Sequence, residues 1–138
     1  MSYPEMLVAP MRAELSKNGF EELKNSEEVE NAFESHDGTM LLVVNSVCGC
    51  AAGSCRPGVI DSLTGEKKPN KLVTVFAGQD VEAVAAAREN LFPYPPSSPA
   101  IALFKDGKLV HMIERHNIEG RTAQMISDNL KQAYNSYC

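Results

Sequence analysis

The sequence predicts an α/β fold, a three-layer sandwich in which a central mixed sheet carries helices on both faces. Three observations predict it. The apolar run Met40-Leu41-Leu42-Val43-Val44 and the β-rich run from Leu72 to Ala77 are suited to strands buried on both faces of a sheet. Segments with helical spacing separate the strands, so that helices must cover the sheet. Near the end, Lys105-Asp106-Gly107-Lys108 supplies an Asp-Gly turn between two short apolar runs, which reads as a hairpin.

Each element follows in order. Residues Pro4 to Ser16 place Met6, Leu7, Met11 and Leu15 at helical spacing, and Gly19 closes that helix. A short strand is expected around Phe20 to Leu23. Ser26, followed by Glu27 and Glu28, opens a second helix that packs through Val29, Ala32 and Phe33, and Asp37-Gly38 ends it in a turn. The first long strand spans Thr39 to Val47. Small residues and helix formers follow Cys48, so a helix begins just after it and the cysteines sit at a strand-to-helix junction. After the strand at Leu72, Asp80 is expected to cap an Ala-rich helix that runs to Glu89. The Pro/Ser-rich stretch Pro93 to Pro99 is a loop, and a strand follows from Ile101 to Phe104. The hairpin leads into Leu109 to Ile113, and a final helix extends from about Arg121 to Tyr134. Parallel central strands with a closing antiparallel hairpin are the arrangement of the thioredoxin fold.

Composition narrows the function. The chain has 138 residues, 43% of them hydrophobic, and no run of eighteen apolar residues, which fits a single domain over 1–138 with a real core and no membrane span. A net charge of −5, with acidic and basic residues interspersed, leaves no electrostatic footprint for nucleic acid or anionic lipid. The segment Met1 to Leu15 carries Glu5, Arg12 and Glu14, so it lacks the apolar stretch of a secretory signal, and the protein is expected in the cytoplasm as a monomer. In a reducing compartment four cysteines are poor structural bridges. Three of them, Cys48, Cys50 and Cys55, crowd into eight residues, which calls for redox or metal chemistry.

Redox chemistry fits the pattern. A thiolate attacks a disulfide, so a reactive cysteine needs its pKa lowered from about 8.5. Unpaired backbone N–H groups and the macrodipole at a helix N-terminus do this, and Cys48 stands there. Arg56 is the nearest basic side chain in sequence and would add a little if it faced the site. Cys50, one residue on, can attack a mixed disulfide on Cys48 intramolecularly, which makes it the resolving thiol. Gly49 is the residue best able to adopt the backbone that closure of so small a ring demands, and ring strain favours the dithiol. The alternative is a metal-binding protein in which Cys48, Cys50 and Cys55 supply thiolates, with Cys138 or a histidine as fourth ligand. The spacing matches no familiar zinc or iron-sulfur pattern, so no metal is expected. Cys55 lies two helical turns past Cys48, too far to pair with it along a straight helix, and is assigned to core packing.

The stretch Val43 to Gly53, with Arg56-Pro57, closely resembles the bacilliredoxin family of thioredoxin-like proteins, also described as Cys-X-Cys disulfide isomerases. The resemblance continues through Thr74 to Asp80, Pro96-Ser97-Ser98-Pro99, Arg115-His116, Ile118-Glu119-Gly120-Arg121 and Cys138. It implies a bacterial thiol-disulfide oxidoreductase that removes bacillithiol, a low-molecular-weight thiol, from mixed disulfides on proteins, or isomerises disulfides. Its partners would be bacillithiolated proteins and bacillithiol itself as co-substrate, with no resident cofactor. By the same analogy Cys48 is the nucleophile, Cys50 the resolving residue, and Pro99 the cis-proline beside the cysteines. An X-Pro bond held cis would leave the backbone of Ser98 to pair with an extended substrate. Cys55 and Ala100 depart from the family pattern, where a small or apolar residue and a serine are expected. His116, Glu114 and Glu119 could aid proton transfer if they face the site. His36 and His111 carry no signal.

Overall fold

The computed structural model describes residues 2–34 and 37–138; His36 lies outside them. Its centre is a five-stranded mixed sheet in the order β1-β3-β2-β4-β5, with β1 at Glu21–Glu22, β2 at Thr39–Asn45, β3 at Lys71–Phe76, β4 at Ala100–Lys105 and β5 at Lys108–Ile113. β2 pairs parallel with β3, and β3 with β1. On its other side β2 pairs antiparallel with β4, which continues antiparallel into β5 through the expected hairpin. The change of direction therefore falls at the middle of the sheet, between two core strands, rather than at its edge.

Every residue of β2 is buried, and its period-2 alternation divides the core. Leu41 and Val43 face one way, with Ile101 and Leu103 of β4, and meet Leu15, Cys55, Val59, Ile126 and Leu130. These come from α1 (Glu5–Ser16), α3 (Arg56–Ser62, with the π-helical turn Ala51–Cys55 before it) and α6 (Ala123–Tyr137). Met40, Leu42 and Val44 face the other way, against Val29, Ala83, Val84 and Ala87 of α2 (Ser26–Glu34) and α4 (Val81–Glu89). The molecule is thus the three-layer α/β sandwich that the sequence predicts. Burying each such Val or Leu is worth about 1.5–3 kcal/mol, so both faces of β2 contribute to stability.

Three local expectations change. Asp80 stands at the N-cap of α4, but its carboxylate makes no capping bond; it accepts two hydrogen bonds from the buried Arg12 guanidinium, at 2.8 and 2.9 Å. Arg12 also bonds Glu5 at 2.7 Å and lies over the Phe76 ring, so satisfying a buried cation outranks a cap. Before the last helix the chain makes a further short helix, α5 (Arg115–Ile118), opened by Glu114, whose backbone carbonyl accepts from the Asn117 N–H at 2.8 Å while the Asn117 side chain accepts from the Glu114 N–H at 3.2 Å. The last helix begins at Ala123, after Thr122 whose hydroxyl accepts from the Met125 N–H at 3.1 Å, and runs to Tyr137. No helix among the described residues is long and apolar enough to cross a membrane.

Candidate active site

β2 ends at Asn45, and the three residues that follow are clamped rather than loose. Arg56, fully buried, donates from Nη1 to Asn45 Oδ1 and to the Ser46 carbonyl, both at 2.9 Å. Ser46 N–H donates to Asn45 Oδ1 at 2.9 Å, and Cys48 N–H donates to Ser46 Oγ at 3.2 Å. The Arg56 Nε lies 3.2 Å from Glu14 Oε2 without the alignment of a hydrogen bond, an ion pair that ties α1 to the clamp. Arg56 therefore does not face the thiols. It fixes the backbone that delivers Cys48.

The helix begins at Gly49, with the Ala51 and Ala52 N–H groups both aimed at the Cys48 carbonyl, at 3.1 and 3.3 Å. Its second turn is π-helical: Arg56 N–H reaches back five residues to Ala51 O. Pro57 explains the widening, since it has no N–H to continue a regular α-helical ladder from the preceding turn. The wide turn carries Cys55 inward, where it is wholly inaccessible among Leu15, Val59 and Ile126. Burial pushes the Cys55 thiol up to about 12, so it is an inert core residue. Cys138, by contrast, is exposed.

Cys48 and Cys50 are half-buried, with their sulfurs facing each other at 2.6 Å, and Gly49 between them is exposed. Their environments push them apart. At Cys48, burial raises the pKa, but it is outweighed by hydrogen bonds from the Cys50 thiol, the Ala51 and Cys50 N–H groups and Ser46, and the net shift is downward. At Cys50, burial and the neighbouring Cys48 sulfur raise the pKa, Arg115 opposes them, and Glu119 adds to the rise. The pair thus makes Cys48 the more acidic thiol and Cys50 the one that gives up its proton later.

The Ser98–Pro99 bond is cis. Because Ala100 pairs with Val44, Pro99 lies alongside the end of β2, next to the segment that carries Cys48. The Ser98 carbonyl is not left wholly free, since it accepts a hydrogen bond from Arg115 Nη1 at 3.2 Å. Arg115 N–H also donates to Ser97 Oγ at 2.7 Å, so α5 is fastened to the proline loop at two points. Arg115 is the residue whose part in the site sequence reasoning missed: it is distant in the chain, and only the docking of α5 brings its charge to the thiols. Glu119 pairs with Arg115 at 3.3 Å, Glu114 stands at the start of α5, and His116 is exposed with its Nε2 3.6 Å from the Glu114 carboxylate. An open groove of about 790 Å³ lies between the proline loop, α5 and Arg88, lined by Ser98 and Arg115 but by neither cysteine. Nothing supports the alternative of a metal site, for among the described residues no three His, Cys, Asp or Glu side chains are grouped to hold an ion.

Residues 3–138 match the family model described as disulphide isomerase. The chain is 63% identical to a bacilliredoxin of Cytophaga hutchinsonii over 96% of its own length and 97% of that protein's. It is 54% identical to a bacilliredoxin of Halalkalibacterium halodurans, covering 99% of this chain and 94% of the other. Among solved structures it is similar to Fasciola hepatica thioredoxin, with a TM-score of 0.55 and 18% identity over 83% of this chain and 99% of that one. It is also similar to a mutant thioredoxin of Halobacterium salinarum, with a TM-score of 0.57 and 19% identity over 87% of this chain and 91% of that one. These two likenesses identify the fold as that of thioredoxin.

Proposed function

The chain belongs to the disulphide isomerase family, whose members include the bacilliredoxins, and is a thiol-disulfide oxidoreductase of thioredoxin fold; from that premise we propose that it removes bacillithiol from mixed disulfides on proteins. The observation that carries the reading is the half-exposed pair Cys48 and Cys50, at 2.6 Å and with opposed pKa shifts. The names of the relatives support bacillithiol as the thiol removed.

The chemistry proceeds in two exchanges and a reset. The Cys48 thiolate attacks the bacillithiol sulfur of the mixed disulfide, forming a Cys48–bacillithiol disulfide and releasing the protein thiolate, which takes up a proton. Cys50 gives up its proton and attacks Cys48 Sγ, forming the Cys48–Cys50 disulfide and expelling bacillithiol as a thiolate that is protonated in turn. Attack from one residue away is intramolecular and so far faster than attack by a thiol from solution. Two further molecules of bacillithiol then reduce the Cys48–Cys50 bond and leave as bacillithiol disulfide, restoring the dithiol. Gly49, Ser98 and Pro99 line the approach of the substrate chain, and the reducing cytoplasm supplies the thiol.

The test is a time course of free bacillithiol released from a bacillithiolated protein. Wild type is expected to release it catalytically when excess bacillithiol is present, and Cys48→Ala to release none above background. Catalytic release by Cys48→Ala, or near-stoichiometric zinc, copper or iron lost together with structure on chelation, would contradict the reading.

A further inference from the structure

The surroundings of Cys50 change as the reaction proceeds. In the dithiol the two sulfurs face each other at 2.6 Å, and burial together with the Cys48 sulfur makes Cys50 the weaker acid. Once Cys48 is joined to a small thiol, its sulfur carries neither a charge nor a proton, and its share of that restraint ends. What then acts on Cys50 besides burial is a pair from α5: Arg115, which favours the thiolate, and Glu119, which opposes it. The other charged and ionisable groups around the site are engaged elsewhere. Arg56 is taken by Asn45, Ser46 and Glu14, Cys55 is sealed in the core, and Glu114 lies 3.6 Å from His116.

The α5 pair is fixed beside the dithiol by the proline loop. Ala100 pairs with Val44, so Pro99 sits alongside the end of β2, and the Ser98 carbonyl next to it accepts from Arg115 Nη1 at 3.2 Å. Arg115 N–H donates to Ser97 Oγ at 2.7 Å, and Arg115 Nε lies 3.3 Å from Glu119 Oε1, one helical turn on. We propose that Arg115 is the positioning residue of the second exchange and Glu119 its restraint: the guanidinium that braces the Ser98 carbonyl steadies the Cys50 thiolate as it attacks, and Glu119 offsets part of that help. This rests on the oxidoreductase reading and adds to it the pair that controls resolution. In that step the Cys50 proton passes to solvent and Cys50 Sγ bonds to Cys48 Sγ. The bond from Cys48 Sγ to the small thiol breaks, and the departing sulfur keeps the electron pair and takes up a proton. A carboxylate near a thiol could instead act as the base that removes its proton, and the two roles predict opposite effects of Glu119→Gln.

The experiment mixes the full chain, as the dithiol, with bis(2-hydroxyethyl) disulfide at concentrations that make the first exchange the faster one, quenches with acid at intervals and reads intact masses. The first exchange adds one mercaptoethanol to Cys48; the second removes it and leaves the internal disulfide. Arg115→Gln should slow the second exchange about two- to fivefold, and slow the first less, since backbone N–H groups support Cys48. The rate of the second exchange should then rise at higher pH than in wild type, and added salt should shrink the difference. Arg115→Lys, which keeps the charge, should recover part of the loss, and Glu119→Gln should speed the second exchange and move its rise to lower pH. Equal slowing of both exchanges, unrelieved in Arg115→Lys, would make Arg115 only a brace of the loop and overturn the proposal. Slowing of the second exchange by Glu119→Gln would make Glu119 a base and overturn it too. Should wild type form neither the adduct nor the internal disulfide, the oxidoreductase reading itself fails and the proposal with it; should it form both at rates that neither Arg115→Gln nor Glu119→Gln changes, only the role of the α5 pair does.

Discussion

Cys48 is the acidic thiol because of where its hydrogen bonds come from, not because it is more exposed than Cys50. Both are half-buried, but the Ala51 and Cys50 N–H groups and the Cys50 thiol act on Cys48, while Cys50 meets the developing charge of Cys48 and of Glu119. Alkylation rate against pH should therefore rise in a lower pH range for Cys48, read in Cys50→Ala, than for Cys50, read in Cys48→Ala. Arg115→Gln should move the Cys50 profile to higher pH, and added salt should mimic it in part, since that guanidinium is exposed to solvent. A profile indifferent to Arg115→Gln would remove it from the site. The dithiol is legible in sequence because its chemistry is local: a strand end, two thiols, a glycine and a helix start adjoin in the chain. Arg115 is not, because its charge reaches the thiols only through the packing of α5, and a short capped helix leaves little periodicity to read. Arg56 stands out by its charge, but its burial beneath Asn45 and Ser46 depends on tertiary contacts.

The helix behind the dithiol is positioned by close packing. A Cβ at Gly58 would lie 2.7 Å from Ile126 Cβ, 2.8 Å from Ile126 Cγ2 and 2.9 Å from the Ala123 carbonyl of α6. Gly58→Ala should gain up to about 1 kcal/mol of helix propensity but lose about 1–3 kcal/mol to overpacking. The clash wins, because the neighbours include a backbone carbonyl and a β-carbon that cannot swing aside. A urea midpoint lowered by a net amount on the order of 1 kcal/mol, with unchanged slope, is expected; an unchanged or raised midpoint would show that α3 and α6 separate freely. Strands β2, β3 and β4 are readable from their apolar runs, and Cys55 as core from its distance along the helix. Two features are not readable. The antiparallel neighbour of β2 depends on where β4 inserts, which no local pattern states, and Asp80 reads as a cap because the buried Arg12 that claims it is far away in the chain.

At the scale of the whole molecule, two buried acids tie stability to alkaline pH. Burial raises Cys55 from an ordinary value near 9, and Tyr134 from near 10, to about 12 in each case. Folding binds these protons more tightly than the unfolded chain does, so their contribution is intact below about pH 9 and is lost as pH rises towards 12. Urea midpoints should fall across that window, and a flat profile would contradict the burial of both groups. The same sandwich that buries them carries the dithiol on its rim, with β2 delivering Cys48, the π turn turning Cys55 inward, and β4 and α5 bringing Pro99 and Arg115 alongside. The central claim is that Cys48 attacks and Cys50 resolves, and the most direct test is the intact mass of Cys50→Ala offered a bacillithiolated protein. A persistent adduct of one bacillithiol, mapped to Cys48, on Cys50→Ala and absent from Cys48→Ala is the predicted result. Clearance of the substrate by Cys48→Ala as fast as by wild type, or an adduct that persists only on Cys55→Ala, would contradict it.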